Sequence, residues 1–214
     1  MKTDPRTFIL QNTEIMRPPH VPEIRLHLAS EAHDLWQKTE EDLEEIGLPP
    51  PFWAFAWAGG QGLARYILDN PDVVAGRRVL DFASGSGLVA IAAKLAGAAD
   101  VLAADIDPWT QSAVALNAAE NGVTVRFTAE DLIGRAVEAD VVLAGDVFYD
   151  REFAAALIPW FARLAGEGKL VLVGDPGRSY LPKDRLKQLA VHQVPVTRAL
   201  EDSEVKKTTV WRFG

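Results

Sequence analysis

The spacing of apolar residues divides the chain into an N-terminal helical stretch and a longer stretch of alternating strands and helices. Between Ile24 and Ile46, apolar side chains recur at steps of three and four, which is the period of one helix face. Pro22 suits the first helical turn, and Gly47 with the prolines at 49 to 51 is a stop signal, because proline cannot continue a helix. The pattern predicts a helix over residues 23–46.

From residue 78 onward, short apolar runs alternate with helical patterns. A strand begins at 79–80, and further strands are predicted at 101–104, 123–127, 141–144, 170–173, 191–200 and 207–213. Helices are predicted at 88–95, 108–121, 151–164 and 182–189. This alternation indicates an α/β fold with a doubly wound, largely parallel sheet covered on both faces. In such sheets ligands bind just beyond the carboxyl ends of the strands.

Composition and charge narrow the class of protein. The chain has 22 Lys and Arg against 30 Asp and Glu, a net charge of −8, which argues against a dedicated nucleic-acid binder. Without cysteine it has no disulfide, thiol nucleophile or Cys-ligated zinc, and its four histidines lack ligand spacing, so we expect no metal. The start lacks the apolar run of a signal peptide and no apolar stretch approaches about 20 residues, so we expect a cytoplasmic protein without a membrane partner.

A glycine-rich loop follows the first strand of the alternating region. Gly85 and Gly87 permit a tight turn and the close approach of a ligand. The pattern Gly85-x-Gly87-x-x-Ala90, followed by Asp105, also matches a dinucleotide fingerprint, which keeps a nicotinamide-dependent oxidoreductase as an alternative. Asp81, however, would repel a pyrophosphate and attract the cationic amino group and sulfonium of S-adenosylmethionine. The loop therefore favours S-adenosylmethionine.

Further acidic residues follow the next strands. Asp105 ends the second strand and can accept hydrogen bonds from both hydroxyls of a ribose. After the third strand, Asp131 could accept from an adenine amino group while Leu132 packs on the ring; a solvated loop acid is the alternative. The fourth strand leads to Asp146 and Tyr149, where a transferred methyl group would point, unless they are a turn acid and a core tyrosine.

These motifs resemble the seven-β-strand methyltransferases, and Asp146-x-x-Tyr149 resembles the Asp/Glu-x-x-Tyr/Phe motif of their protein-lysine-methylating branch. Segments 50–60, 77–81 and 175–178 are similar to those of the electron transfer flavoprotein β-subunit lysine methyltransferases, and the resemblance runs from Val21 to Phe213. It implies a seven-stranded sheet whose last strand is antiparallel, and a monomer that methylates lysines on the flavoprotein β subunit. A ribosomal protein is the second candidate substrate.

The resemblance implies a methyltransferase domain over residues 51–214, preceded by an N-terminal extension and helix over residues 1–50. It places Trp57 against the methyl donor, Asp105 against the ribose, and Asp146 and Tyr149 against the target lysine. Ala83 stands where the family loop usually has glycine. The whole expected set of donor-binding residues is Trp57, Asp81, Ala83, Gly85, Gly87, Asp105, Ile106, Asp131 and Leu132.

A second set of residues is expected to bind the protein substrate. Phe148 and other aromatic residues could wall a channel for a lysine stem and a methylated cation, with core packing as the alternative. Arg178, in the segment Asp175-Pro-Gly-Arg178, could bind a carboxylate of the substrate, with a surface turn as the alternative. The expected substrate-binding residues are Phe148, Asp175 and Arg178, and the further channel aromatics are Trp53, Phe55 and Trp57.

Overall fold

The computed structural model describes residues 4–29, 51–196 and 203–214. Within these ranges the helices are α1 Pro5–Asn12, α2 Ala58–Asp69, α3 Leu88–Leu95, α4 Pro108–Glu120 and α5 Arg151–Gly166. The strands are β1 Glu14–Met16, β2 Leu26–Leu28, β3 Arg78–Phe82, β4 Asp100–Ala104, β5 Arg126–Thr128, β6 Val141–Gly145, β7 Leu170–Asp175, β8 Leu186–Pro195 and β9 Val205–Phe213. No helix in these ranges is long and apolar enough to cross a membrane.

Seven strands form the main sheet, in the order β5-β4-β3-β6-β7-β9-β8. Strands β3 to β7 pair in parallel. Strand β9 runs antiparallel to both of its neighbours, β7 and β8. This confirms the predicted doubly wound sheet with an antiparallel last strand. Because the strand order reverses between β3 and β6, the crevice at their carboxyl ends is where such a sheet binds ligands.

Local signals start the helices that flank the sheet. The Asp107 side chain accepts a hydrogen bond from the Trp109 N–H at 2.8 Å, and Pro108 occupies the first turn of α4. In the same way the Asp150 side chain accepts from the Phe153 N–H at 2.8 Å at the start of α5. Helix α3 has the bounds that the sequence predicts.

Apolar side chains cover both faces of the sheet, which accounts for the nearly continuous apolar runs in β3, β6 and β7. On one face, β3 and β6 pack against α5, where Trp160 and Phe161 are buried. On the other face the same strands pack against α2 and α3, where Leu63, Ile67 and Val89 are buried. These two layers hold the strand ends, and the loops that follow them, in fixed positions.

The predicted helix at 23–46 is wrong in its described part. Residues 26–28 form β2, which pairs antiparallel with β1. The backbone N–H groups of Arg25 and His27 donate to the side-chain oxygens of Asn121 and Asn117 at 2.9 and 2.7 Å. These side chains at the C-terminal end of α4 therefore replace the hydrogen bonds that a helix would have supplied to the two N–H groups. The remainder of the prediction, residues 30–46, lies outside the described residues.

The prediction of a helix over 182–189 is also wrong. A single 3₁₀ turn, Lys183–Arg185, is followed directly by β8, which pairs along its length with β9. The strand predicted at 191–200 is the second half of β8, and residues 197–200 lie outside the described residues. Strand β5 begins at Arg126, three residues later than predicted, because the Val123 N–H still bonds to the Ala118 carbonyl of α4.

The described residues 4–29 pack onto the sheet domain. Ile9 of α1 is fully buried beside Trp53 and Trp109, and the rings of Phe8 and Trp109 meet edge to face with centroids 5.1 Å apart. The division of the chain at residue 50 stays a prediction.

Candidate active site

A cavity of about 870 Å³ opens at the carboxyl ends of β3, β4 and β6. Its wall consists of the loops that follow β3 to β7 together with residues from the segment 52–60. The volume is in the range of small-molecule binding sites, and the position is the crevice expected from the strand order.

The glycine loop after β3 adopts left-handed backbone conformations. Gly85 and Gly87 have φ values of 50° and 77°, and Ala83 has φ 54°, a region that side chains with a Cβ rarely enter. Gly85, Ala83 and Asp105 line the cavity, whereas Gly87 starts α3 and contributes its conformation instead of a contact surface. The loop therefore brings its backbone to the cavity wall, as the sequence predicts, and does so with one strained alanine.

Asp105 fastens this loop to the next one. Its Oδ2 accepts a hydrogen bond from the Gly85 N–H at 3.0 Å, and its Oδ1 accepts from the Asp107 N–H at 3.0 Å. Burial raises the pKa of Asp105, and burial with the nearby Asp105 charge raises the pKa of Asp107 to about 6. Both Asp105 oxygens are thus held beside the cavity, where they can accept from a ligand hydroxyl.

Asp81 is the most deeply buried acid of the cavity wall. It is 1% exposed, its Oδ2 accepts from the Ala90 N–H at 3.0 Å, and burial raises its pKa to about 8. Within the described part of the wall, Arg178 is the one cationic side chain, and it is paired with Asp146. A desolvated carboxyl group gains most from a ligand that brings its own cation. Asp81 and Asp105 together therefore fit the amino group and ribose of S-adenosylmethionine.

Asp146 is fixed on both carboxylate oxygens. It has φ 60° at the end of β6, and its Oδ2 accepts a hydrogen bond from the Gly59 N–H at the start of α2. Its Oδ1 accepts from the Arg178 Nε at 2.8 Å and lies 2.6 Å from Nη2. The Arg178 guanidinium carbon lies 5.9 Å from the centroid of the Trp57 ring. The structure thus brings Asp146, Arg178 and Trp57 together, and the carboxylate that Arg178 binds is Asp146.

Aromatic side chains surround Tyr149 at the cavity mouth. Tyr149 is 52% exposed, and its ring centroid lies 5.9 Å from those of Phe52 and Phe153. Phe55 and Trp57 also line the cavity, and Ile106 stands 71% exposed at its edge. Burial raises the pKa of the Tyr149 hydroxyl, so it stays protonated at neutral pH. The mouth therefore offers apolar surface to a long aliphatic side chain.

Besides Gly87, four expected contact residues lie outside the cavity wall: Phe148, Leu132, Asp175 and Trp53. Phe148 is fully buried against Phe161, whereas Val147 before it and Tyr149 after it line the cavity. Leu132 is also buried in that core, so Ile133 lines the cavity in its place, beside the expected Asp131.

Asp175 does not line the cavity either. Its Oδ1 accepts from the N–H groups of Gly177 and Arg178 at 2.6 and 2.7 Å, so it shapes the turn that carries Arg178. Trp53, expected in the channel, stacks on Trp109 in the core. Phe52 and Phe55, close to it in the sequence, line the cavity, and the aromatic composition alone does not reveal which rings face the core.

Besides Ile133 and Phe153, the site includes Gly59 and Phe52, which are also absent from the sequence-based set. Gly59 donates its N–H to Asp146, and a Cβ there would lie 2.3 Å from the Gly174 carbonyl oxygen and 2.5 Å from the Asp146 Oδ2. The Gly59-Gly60 pair that opens α2 is the sequence signal that could have indicated such a close approach. Phe52 touches both Trp57 and Tyr149, and only its place in an aromatic run distinguished it.

Comparison with known proteins gives relatives along nearly the full chain. The electron transfer flavoprotein β subunit lysine methyltransferase of Xenopus laevis is 42% identical over 218 residues, which are 99% of this chain and 87% of the relative. The human protein of the same description is 35% identical over 223 residues, 97% of this chain and 81% of its own length. The chain belongs to this family of lysine methyltransferases. The resemblance stated from the sequence motifs is confirmed.

Two further comparisons concern parts of the family fold. The model of the ribosomal protein L11 methyltransferase (PrmA) family matches residues 64–147, which run from α2 to the turn after β6. The magnesium protoporphyrin IX methyltransferase of Synechocystis, solved with bound S-adenosylhomocysteine, aligns with a TM-score of 0.54 at 18% identity and covers 72% of this chain and 81% of its own. At that identity the alignment shows that this family member shares the methyltransferase fold.

Among residues 4–29, 51–196 and 203–214, no group of three or more His, Cys, Asp or Glu side chains is placed to hold a metal ion.

Proposed function

We propose that the protein transfers methyl groups from S-adenosylmethionine to lysine side chains of the electron transfer flavoprotein β subunit. The relatives that span 97–99% of the chain carry this description. The observation that carries the proposal is that one cavity is lined by Asp81 and Asp105 together with Asp146 and Tyr149. A donor and an acceptor can therefore meet inside it.

The donor side consists of the glycine loop and two acids. When bound, S-adenosylmethionine supplies an electrophilic methyl group on a sulfonium. Asp81 would hold its amino group, Asp105 would accept from the ribose hydroxyls, and Ile106, Asp131 and Ile133 would surround the adenine. These residues bind and orient, which is the main contribution a protein can make to an in-line displacement.

The acceptor side must deliver a lysine amine with its lone pair free. A lysine has an unperturbed pKa of about 10.4 and arrives protonated, whereas an unperturbed aspartate with a pKa of about 3.9 is a poor base. Asp146, held by Gly59 and Arg178, therefore positions the amine, and water accepts the proton. Tyr149, Trp57 and Phe52 enclose the aliphatic stem and favour a methylated cation by about 0.5–2 kcal/mol.

A ribosomal protein is the second candidate substrate, because the ribosomal protein L11 methyltransferase model matches residues 64–147. That match ends before β7, β8 and β9, whereas the flavoprotein-methylating relatives cover these strands. A nicotinamide-dependent oxidoreductase has only the loop pattern in its favour. The flavoprotein β subunit therefore remains the first substrate to test.

We also propose that the protein acts as a cytoplasmic monomer, on a protein and not on a nucleic acid or a membrane. Its net charge of −8 supports the exclusion of nucleic acid.

The test is transfer of labelled methyl groups to purified electron transfer flavoprotein, resolved by subunit and mapped by mass spectrometry. Label on lysines of the β subunit is expected. Asp146→Asn should retain binding of S-adenosylhomocysteine, because asparagine tolerates a left-handed φ, and should lose about 100-fold or more in transfer. Asp184→Asn, on an exposed turn, is the matched control. If the wild type binds the donor product but labels neither subunit, the proposed substrate is wrong and ribosomal proteins come next.

A further inference from the structure

We propose that Arg178 lowers the pKa of the substrate lysine bound in the cavity and so sets the fraction of it that is a neutral amine. This inference rests on the proposed lysine methylation. The relevant observation is that Asp146, the carboxylate expected to bind the lysine, is already paired with the permanently charged Arg178.

Contacts on all sides hold Arg178 in this place. Its Nε and Nη2 reach the Asp146 Oδ1 at 2.8 and 2.6 Å, and its guanidinium faces the Trp57 ring at 5.9 Å. Its backbone N–H donates to the Asp175 Oδ1 at 2.7 Å, and its side chain is only 23% exposed. Asp146 in turn receives the Gly59 N–H on its other oxygen. An arginine anchored in this way stays paired while a lysine enters beside it.

The charges around the cavity give Arg178 its effect. In the described part of the wall, the other titratable groups are the Tyr149 hydroxyl and the carboxyl groups of Asp81, Asp105, Asp107, Glu130, Asp131 and Asp150. Each of these carboxylates, when ionised, favours the ammonium form of a nearby lysine. Without Arg178, the Asp146 carboxylate would also favour the ammonium form, and it is the carboxylate expected to lie nearest to the lysine nitrogen. With Arg178 in place, the Asp146–Arg178 pair is neutral overall, and the guanidinium opposes an ammonium while tolerating an amine.

The resulting step balances without a protein base. The lysine ammonium gives one proton to water, and the electron pair of that N–H bond stays on nitrogen. This pair forms the new N–C bond as the C–S bond breaks, and sulfur keeps the electrons of the broken bond. The methylated product is again a cation, so Arg178 repels it and favours its release.

The effect is measurable as a shift along the pH axis. A like charge within about 4–6 Å shifts a pKa by about 1–3 units. We therefore expect Arg178→Gln to move the rise of the transfer rate upward by about 1–2 pH units. At pH 7.5 this shift lowers the transfer rate of Arg178→Gln about 10- to 100-fold. The difference from the wild type becomes smaller as the pH approaches the raised pKa of the lysine in the variant.

The experiment measures single-turnover methyl transfer to the flavoprotein at saturating S-adenosylmethionine between pH 6.5 and 10. Four proteins are compared: wild type, Arg178→Gln, Arg178→Lys, which keeps the charge, and Arg185→Gln, which removes an exposed arginine in the next turn. Calorimetric binding of S-adenosylhomocysteine checks that each variant is folded. We expect the ratio of wild-type to Arg178→Gln rates to fall with rising pH, and Arg178→Lys and Arg185→Gln to follow the wild-type profile.

Two results would overturn the inference. A ratio that is the same at every pH would mean that Arg178 only shapes the site. An Arg178→Lys profile shifted as far as that of Arg178→Gln would mean that charge is not the property that matters. Failure of the wild type to label the flavoprotein at any pH is a separate outcome: it counts against the proposed function and removes the basis of this inference with it.

Discussion

Adding one methyl group at Gly59 should damage the site, whereas the same change at Gly60 should not. A Cβ on Gly59 would lie 2.3 Å from the Gly174 carbonyl oxygen and 2.5 Å from the Asp146 Oδ2. The nearest atoms to a Cβ on Gly60 lie at 3.9 Å, which is ordinary contact. Both glycines belong to the first turn of α2, so the helical context of the two substitutions is closely matched.

The sizes of the two effects follow from these contacts. Forcing an extra carbon into a packed region costs about 1–3 kcal/mol, and a displaced hydrogen bond to a charged group costs about 1.5–3 kcal/mol. Replacing glycine by alanine in a helix returns up to about 1 kcal/mol. Gly59→Ala should therefore lose about 2–5 kcal/mol of unfolding free energy, and Gly60→Ala should gain up to about 1 kcal/mol.

Thermal unfolding of the two variants decides the matter. For a domain of this size, 1 kcal/mol corresponds to about 2–4 °C in Tm. Gly59→Ala should melt at least about 4 °C below the wild type, and Gly60→Ala at or slightly above it. Methyl transfer by Gly59→Ala should also fall, because Asp146 loses its backbone donor. Equal melting temperatures for the two variants would refute the close approach of α2 to β6 and β7.

Three further predictions concern the donor side. Asp105→Ala should weaken binding of S-adenosylhomocysteine by about 1.5–3 kcal/mol in calorimetry, and an unchanged affinity would exclude its role at the ribose. Burial raises the pKa of Asp81 to about 8, and a ligand ammonium favours its ionised form. The affinity for S-adenosylhomocysteine should therefore rise between pH 6 and 8 by up to about tenfold per pH unit. Asp81→Asn should flatten this rise, and a flat wild-type profile would contradict the contact. Ala83→Gly should relieve the strain of φ 54° and raise the unfolding free energy by about 1 kcal/mol, which a lower Tm would disprove.

Most of the region between residues 78 and 175 could be predicted because its signals are local. Asp107, Pro108 and Gly122 mark the ends of α4 within a few positions of the chain, and α3 lies between a glycine loop and a glycine turn. The carboxyl ends of parallel strands meet at one edge, so Asp81, Asp105 and Asp146 were expected at one cavity and lie there.

The failures depend on distant contacts or on single dihedral angles. β2 is a strand because it pairs with β1, and Asn117, 90 positions away in the chain, accepts the His27 N–H of this strand. Phe148 packs in the core while Val147 and Tyr149 line the cavity, in a turn that follows Asp146 with its φ of 60°. Neither a remote partner nor one unusual φ leaves a periodic trace in the sequence, so pattern reasoning could not find them.

The position of β9 between β7 and β8 has a consequence for how the chain folds during synthesis. The ribosome completes β7 well before it reaches β9. Until then the edge of β7 that faces away from β6 has no neighbouring strand, and β8 has no strand to pair with. An open edge of this kind invites pairing with other chains. The nascent protein should therefore pass through a five-stranded stage, β3 to β7, in which the outer edge of β7 stays exposed until β9 pairs with it and brings β8 into the sheet.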